Sequence, residues 1–106
     1  PVLYAFQVGV FKSFDNANNL KNNYASAKVI KDQEYYRVFI GVTVNNKDIL
    51  RNLFETQGYN YYVKEMQISE ELQGILIKYD EFFMQTSEVN RVEVLKNMLE
   101  CLPDEL

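Results

Sequence analysis

The chain has 106 residues, a net charge of −4, 47% apolar residues and 25% charged ones, which suits one soluble domain with one modest core. No apolar run approaches the roughly 18 residues that span a bilayer, so direct membrane insertion is not expected. Histidine is absent and Cys101 is the single cysteine, which excludes an intramolecular disulfide and removes the commonest metal ligand and general base.

The charge is unevenly spread. Residues 1–66 hold eight Lys/Arg against six Asp/Glu, and residues 67–106 hold three against nine. The front is weakly basic and the tail acidic, unlike the basic footprint of a nucleic-acid binder. The chain begins at Pro1 rather than Met and reads as a piece of a longer protein.

In chain order, residues 3–11 alternate as a strand, with Tyr4, Phe6, Val8 and Val10 on the core face. Ala5, Gln7, Gly9 and Phe11 take the other. Residues 13–26 read as a helix capped by Ser13 or Asp15, with Ala17, Leu20 and Tyr24 inward. Its five asparagines are poor helix formers, so packing has to hold it. Residues 28–32 form a short strand, and Gln33–Glu34 turn the chain. Residues 35–42 form a strong strand with Tyr36, Val38 and Ile40 inward and Tyr35, Arg37 and Phe39 opposite. Asn45–Asn46 cap a helix over 47–57 with Ile49, Leu50, Leu53 and Phe54 inward, and Gly58 ends it. A fourth strand covers 59–68, with Tyr61 and Val63 inward and Tyr62 and Lys64 outward.

This order, βαββαβ, predicts an α+β fold of the ferredoxin or RNP-like kind. It is a four-stranded antiparallel sheet in the order 4-1-3-2, with two helices on one face. The domain division is 1–67 for this unit and 68–106 for an acidic helical extension. Two helices are expected in the extension. One carries Leu72, Ile75, Leu76, Tyr79, Phe82 and Phe83; the other carries Val89, Val92, Leu95, Leu99 and Leu102. Its acidic residues read as solvated helix surface. Its apolar stripes are expected to pack on the helix side of the unit or on another copy, leaving the open sheet face free. Cys101 reads as a small buried hydrophobe.

The open face then gathers Gln7, Gly9, Arg37, Phe39, Tyr62 and Lys64, with glycine leaving a shallow trough. Here the sequence resembles the SPOR family, the sporulation-related repeat. "YAFQVGVF" at 4–11, "NANNL" at 16–20, "YRVFIG" at 36–41 and "QGYNYYVK" at 57–64 match its pattern in order. The resemblance covers residues 3 to about 66. At 42–43 the chain has Val and Thr where the family has Pro-Phe.

The resemblance implies a non-catalytic module that binds bacterial peptidoglycan glycan strands stripped of stem peptides. It also implies targeting of a parent protein to the division or sporulation septum and a place on the outer side of the membrane, in the cell envelope. The implied glycan-binding residues are Gln7, Gly9, Ser13, Tyr35, Arg37, Phe39, Tyr62 and Lys64. An amide can grip an N-acetyl group, aromatic rings can cover the C–H faces of a sugar, and Arg37 and Lys64 can meet muramic carboxylates. No cofactor or metal is implied.

The alternative is a protein-interaction or homodimerisation module in which the C-terminal helices carry the contact. RNA binding fits the strand order, but "YYRVFIGV" lacks the Gly-aromatic-Gly-Phe run of an RNA-binding sheet. An enzyme is not expected either: the chain has no phosphate loop, no Ser-x-x-Lys and no paired carboxylates over a groove.

Overall fold

The computed structural model describes all 106 residues. Its elements are β1 (Val2–Phe11), α1 (Phe14–Lys21), β2 (Lys28–Asp32), β3 (Tyr35–Thr43), α2 (Lys47–Thr56), β4 (Tyr62–Gln67), α3 (Glu70–Gln85) and α4 (Glu88–Glu100). The sheet is antiparallel and ordered β2-β3-β1-β4, as the sequence predicts.

Each helix has a local reason to start or stop. Ser13, Ser69 and Ser87 each accept a backbone N–H of the first turn, from Asn16, Leu72 and Asn90, which satisfies an otherwise orphaned donor. α1 stops at Lys21, short of the expected end, because Asn22 and Asn23 favour the turn that follows. Gly58, at φ +76°, lets the chain leave α2. The N–H groups of Gly58 and Tyr59 return to the carbonyls of Glu55 and Phe54 at 3.0 Å. Residues 59–61 are spent on this exit, so β4 begins at Tyr62 rather than 59.

α1 and α2 cover one face of the sheet. Phe6 packs its ring on Phe54 of α2 and on Tyr61, at centroid separations of 5.3 and 5.2 Å. Phe14 of α1 meets Tyr36 at 5.8 Å. On the opposite face lie Leu3, Ala5, Phe39 and Val42, all fully buried, with Ala5 directly opposite Val42. A sheet buried on both sides needs a second cover, and α3 and α4 supply it. Leu76, Phe83, Leu95, Met98, Leu99 and Leu102 join the same core cluster as Leu3, Ala5, Ile30 and Phe39. The extension therefore lies across part of the face expected to be open. That face is apolar over its first half, and burying a residue such as Phe39 contributes roughly 1.5–3 kcal/mol.

Three ties lock the extension down. Lys28, buried on the same face, donates from Nζ to the Leu102 carbonyl at 2.7 Å and pairs with Asp104 at 3.1 Å. Residues 104–106 run beside β2, with Lys31 N–H donating to the Asp104 carbonyl at 2.9 Å and Leu106 N–H to the Lys31 carbonyl at 2.7 Å.

Asp80 is the third tie. It is buried in α3, and its carboxylate accepts from Thr43 Oγ1 at 2.7 Å and from the backbone N–H groups of Val44 and Asn45 at 2.9 and 2.8 Å. Asn46 occupies the N-cap position of α2, but its side chain does not cap it. The amide donates instead to the Asp80 carbonyl at 3.0 Å, and Thr43 Oγ1 accepts the Asn46 N–H at 2.8 Å. The acidic tail is thus not wholly solvated surface. Ile75, Phe82, Val89 and Val92, read as part of the buried stripes, face solvent, while Val94 and Met98 are buried in their place. Cys101 is half-buried; burial pushes its thiol pKa up, which keeps it protonated.

Candidate functional site

The uncovered half of the second sheet face centres on Gln7. β1 departs from regular pairing with β3 on both sides of this residue, between Phe6 and Gln7 and between Gln7 and Gly9. Irregularities of this kind twist a strand and re-aim its side chains. Gln7 sits opposite Phe39 on β3 and Tyr62 on β4. Its Oε1 accepts from Arg37 Nη1 at 3.2 Å, and Arg37 Nε donates to Asp32 Oδ2 at 2.8 Å.

An amide, a guanidinium and a carboxylate therefore form one line across β1, β3 and β2. The side chains of Arg37 and Asp32 are 21% and 24% exposed, so the pair is sheltered yet reachable. The bonds use Nε and Nη1 and leave Nη2 and the Gln7 amide nitrogen free for an outside acceptor. Asp32 also fixes the guanidinium plane, which suits a bidentate carboxylate.

Tyr62 stands at the β4 end of this line, 64% exposed. Gln7, Val8, Gly9, Asn60, Tyr61 and Tyr62 line a shallow groove beside it. Tyr61 donates its hydroxyl to Glu55 at 2.9 Å; burial, and then this bond, push its pKa up. Lys64 pairs across from Ala5 and is half-buried. With Tyr62, Lys47 and Arg51 it lines a polar hollow along β4. Tyr35 is half-buried at the other end, with Lys12 Nζ 6.0 Å from its ring centroid.

The structure thus brings Gln7, Arg37 and Tyr62 together, with Lys64 beside them and Tyr35 at the far end. Two residues of the expected surface are taken up elsewhere, and a third keeps only its backbone there. Phe39 is fully buried beneath the extension and offers no ring to a ligand. Ser13 Oγ is occupied in capping α1.

Gly9 lines the groove with Gln7 and Tyr62 through its backbone, but a side chain there would point to α1 rather than to the open side. A Cβ there would meet Leu20 Cδ2 at 2.6 Å and Phe11 Cε2 at 2.8 Å. The change in pairing around Gln7 turns the Cβ direction of Gly9 to the helix side, where its bareness lets α1 approach. Gly9→Ala is expected to lower stability by about 1–2 kcal/mol, as overpacking does; chemical denaturation measures it.

Three residues were missed by the sequence reading. Asn60 carried a faint signal, lying between tyrosines just before a strand. Lys47 and Arg51 carried none, because only the fold brings α2 beside β4.

No family model matches the chain, and no curated protein matches it. A solved structure does: the solution structure of the peptidoglycan-binding domain of the B. subtilis cell wall lytic enzyme CwlC. The match has 27% sequence identity and a TM-score of 0.53, and it covers 63% of this chain and 92% of that domain. Nearly the whole of a domain that binds peptidoglycan is therefore similar, in fold and in sequence, to a stretch of this chain about as long as its βαββαβ unit.

Proposed function

We propose that the chain is a non-catalytic module that binds the glycan strands of bacterial peptidoglycan through the uncovered half of its sheet. The likeness to the CwlC peptidoglycan-binding domain carries this reading. The chemistry of the Gln7–Arg37–Tyr62 line supports it. Gln7 offers a free N–H pair to an N-acetyl carbonyl or a sugar hydroxyl. Arg37, held by Asp32, takes the carboxylate of a muramic residue stripped of its stem peptide. Tyr62 covers a C–H face of the sugar, and Lys64 adds a second cation at the β4 side.

Such contacts contribute about 1 kcal/mol each, roughly 1.5–3 where charged. A handful gives micromolar affinity, and repetition along a strand raises the effective strength. The module then belongs on the cell-wall side of the membrane and directs its parent protein to wall where amidases have acted, as at a septum.

The test is co-sedimentation with purified sacculi, before and after amidase treatment. Binding is expected to rise once stem peptides are removed. Gln7→Ala is expected to weaken it about tenfold, the value of one good polar contact, with little change in stability. Equal binding by the variant removes the sheet face from the mechanism.

A further inference from the structure

Away from the sheet face, the ends of α1 and α2 and the start of α4 enclose a cavity of about 320 Å³. Its wall is aromatic: Tyr24 and Tyr59 meet edge to face at 4.9 Å, and Phe54 lies 6.1 Å from Tyr59. Ile40, Leu53 and Leu95 complete an apolar well. Volume and lining match the usual small-ligand site, which is mostly apolar with a few placed polar groups.

The wall also carries two charged side chains, Glu88 exposed and Arg91 half-buried. They lie one helical turn apart, a spacing at which opposite charges are neighbours. They form no ion pair with each other. Arg91 is held elsewhere: Nε donates to the Phe83 carbonyl at 3.1 Å, and the guanidinium carbon lies 4.8 Å from the Phe83 ring centroid. That fixes the guanidinium and leaves Nη1 and Nη2 unspent. An anion and a cation thus stand unpaired with each other on the wall of an apolar well.

We infer that this cavity binds a free apolar α-amino acid. The carboxylate meets the outer nitrogens of Arg91, the ammonium meets Glu88, and the side chain enters the well among Tyr24, Phe54 and Tyr59. A neutral apolar molecule leaves both charges unmatched, and a simple carboxylate leaves Glu88 facing like charge. Only a zwitterion matches both. The site is separate from Gln7 and Tyr62 and does not depend on the glycan reading. It exists only because α4 closes the end of the βαββαβ unit.

The full chain is titrated with L-leucine and with L-phenylalanine, followed by thermal unfolding and NMR. Either is expected to raise Tm by about 5 °C at ten times its Kd and to shift the resonances of Tyr24 and Tyr59. N-acetyl-L-phenylalanine and L-phenylalanine amide, each lacking one charge, are expected to bind at least tenfold more weakly.

Arg91 also ties α4 to α3, so its replacement risks the fold, and the exposed Glu88 is the safer probe. Glu88→Gln is expected to cost tenfold for the free amino acid and nothing for the N-acetyl form. No Tm shift and no resonance change with either amino acid overturns the inference. So does an N-acetyl derivative that binds as tightly as the free amino acid. Co-sedimentation of Glu88→Gln with sacculi stays unchanged, so failure here and failure of the glycan reading are told apart.

Discussion

Asp80→Ala is expected to destabilise the protein by about 3–4 kcal/mol, without touching any residue of the sheet-face site. The carboxylate is the sole acceptor shown for the Thr43 hydroxyl and the Val44 and Asn45 N–H groups. Removing it strands three donors in a sheltered place. A donor left unsatisfied costs about 1–3 kcal/mol, and bonds to a charged acceptor are the stronger kind. Asp80→Asn should cost less, about 2 kcal/mol, because one amide oxygen can still accept. Equilibrium denaturation of both variants measures the difference. Equal and small losses would mean that the β3–α2 loop holds itself.

The last two residues of β3 before that loop, Val42 and Thr43, stand where the family that the sequence resembles has Pro-Phe. A proline would stiffen the turn from within. Here α3 reaches over and fastens it from outside.

Deleting residues 69–106 is expected to abolish cooperative unfolding. The shortened chain would expose Leu3, Ala5, Ile30, Phe39 and Val42, all at most 1% exposed in the intact protein. At roughly 1.5–3 kcal/mol for each of the large ones, the loss is comparable to the whole stability of a small domain. It would also leave buried Lys28 without Leu102 and Asp104. The expected signature is a broad, non-cooperative thermal transition with loss of near-ultraviolet circular dichroism. A sharp transition near the original Tm would mean that the βαββαβ unit stands alone. On that expectation the extension is a structural part of the domain rather than a detachable lid over its face.

The strand order, the Gln33–Glu34 turn, the Gly58 exit and the Ser13 cap are legible because each rests on local chemistry. Alternation and capping need only neighbours in sequence. What failed needed information from afar. Counting in twos from Tyr4 points Gly9 to the open face, and the irregular pairing on both sides of Gln7 turns its Cβ direction to α1. Phe39 was placed correctly opposite Tyr36 and Val38, but nothing nearby in sequence says that α4 will cover it. Asp80 did leave a trace: it lies four residues after Leu76 and three before Phe83, on the buried side of α3. An acid on an apolar stripe is a candidate for a buried cap, not for solvated surface. At the candidate site, Gln7, Arg37 and Tyr62 could be named from alternation. Their union with Asp32 could not, because it depends on the register of β2 against β3.

Residues 104–106 close one border of the sheet by pairing with Lys31 of β2. β4 forms the other border, and no strand pairs with its outer side. The sheet can therefore be extended in one direction only. An extended peptide adding to the sheet, whether a partner's strand or the first step of aggregation, would align along β4, next to Tyr62 and Lys64. Such a strand would take the same shoulder of the molecule as the proposed glycan site.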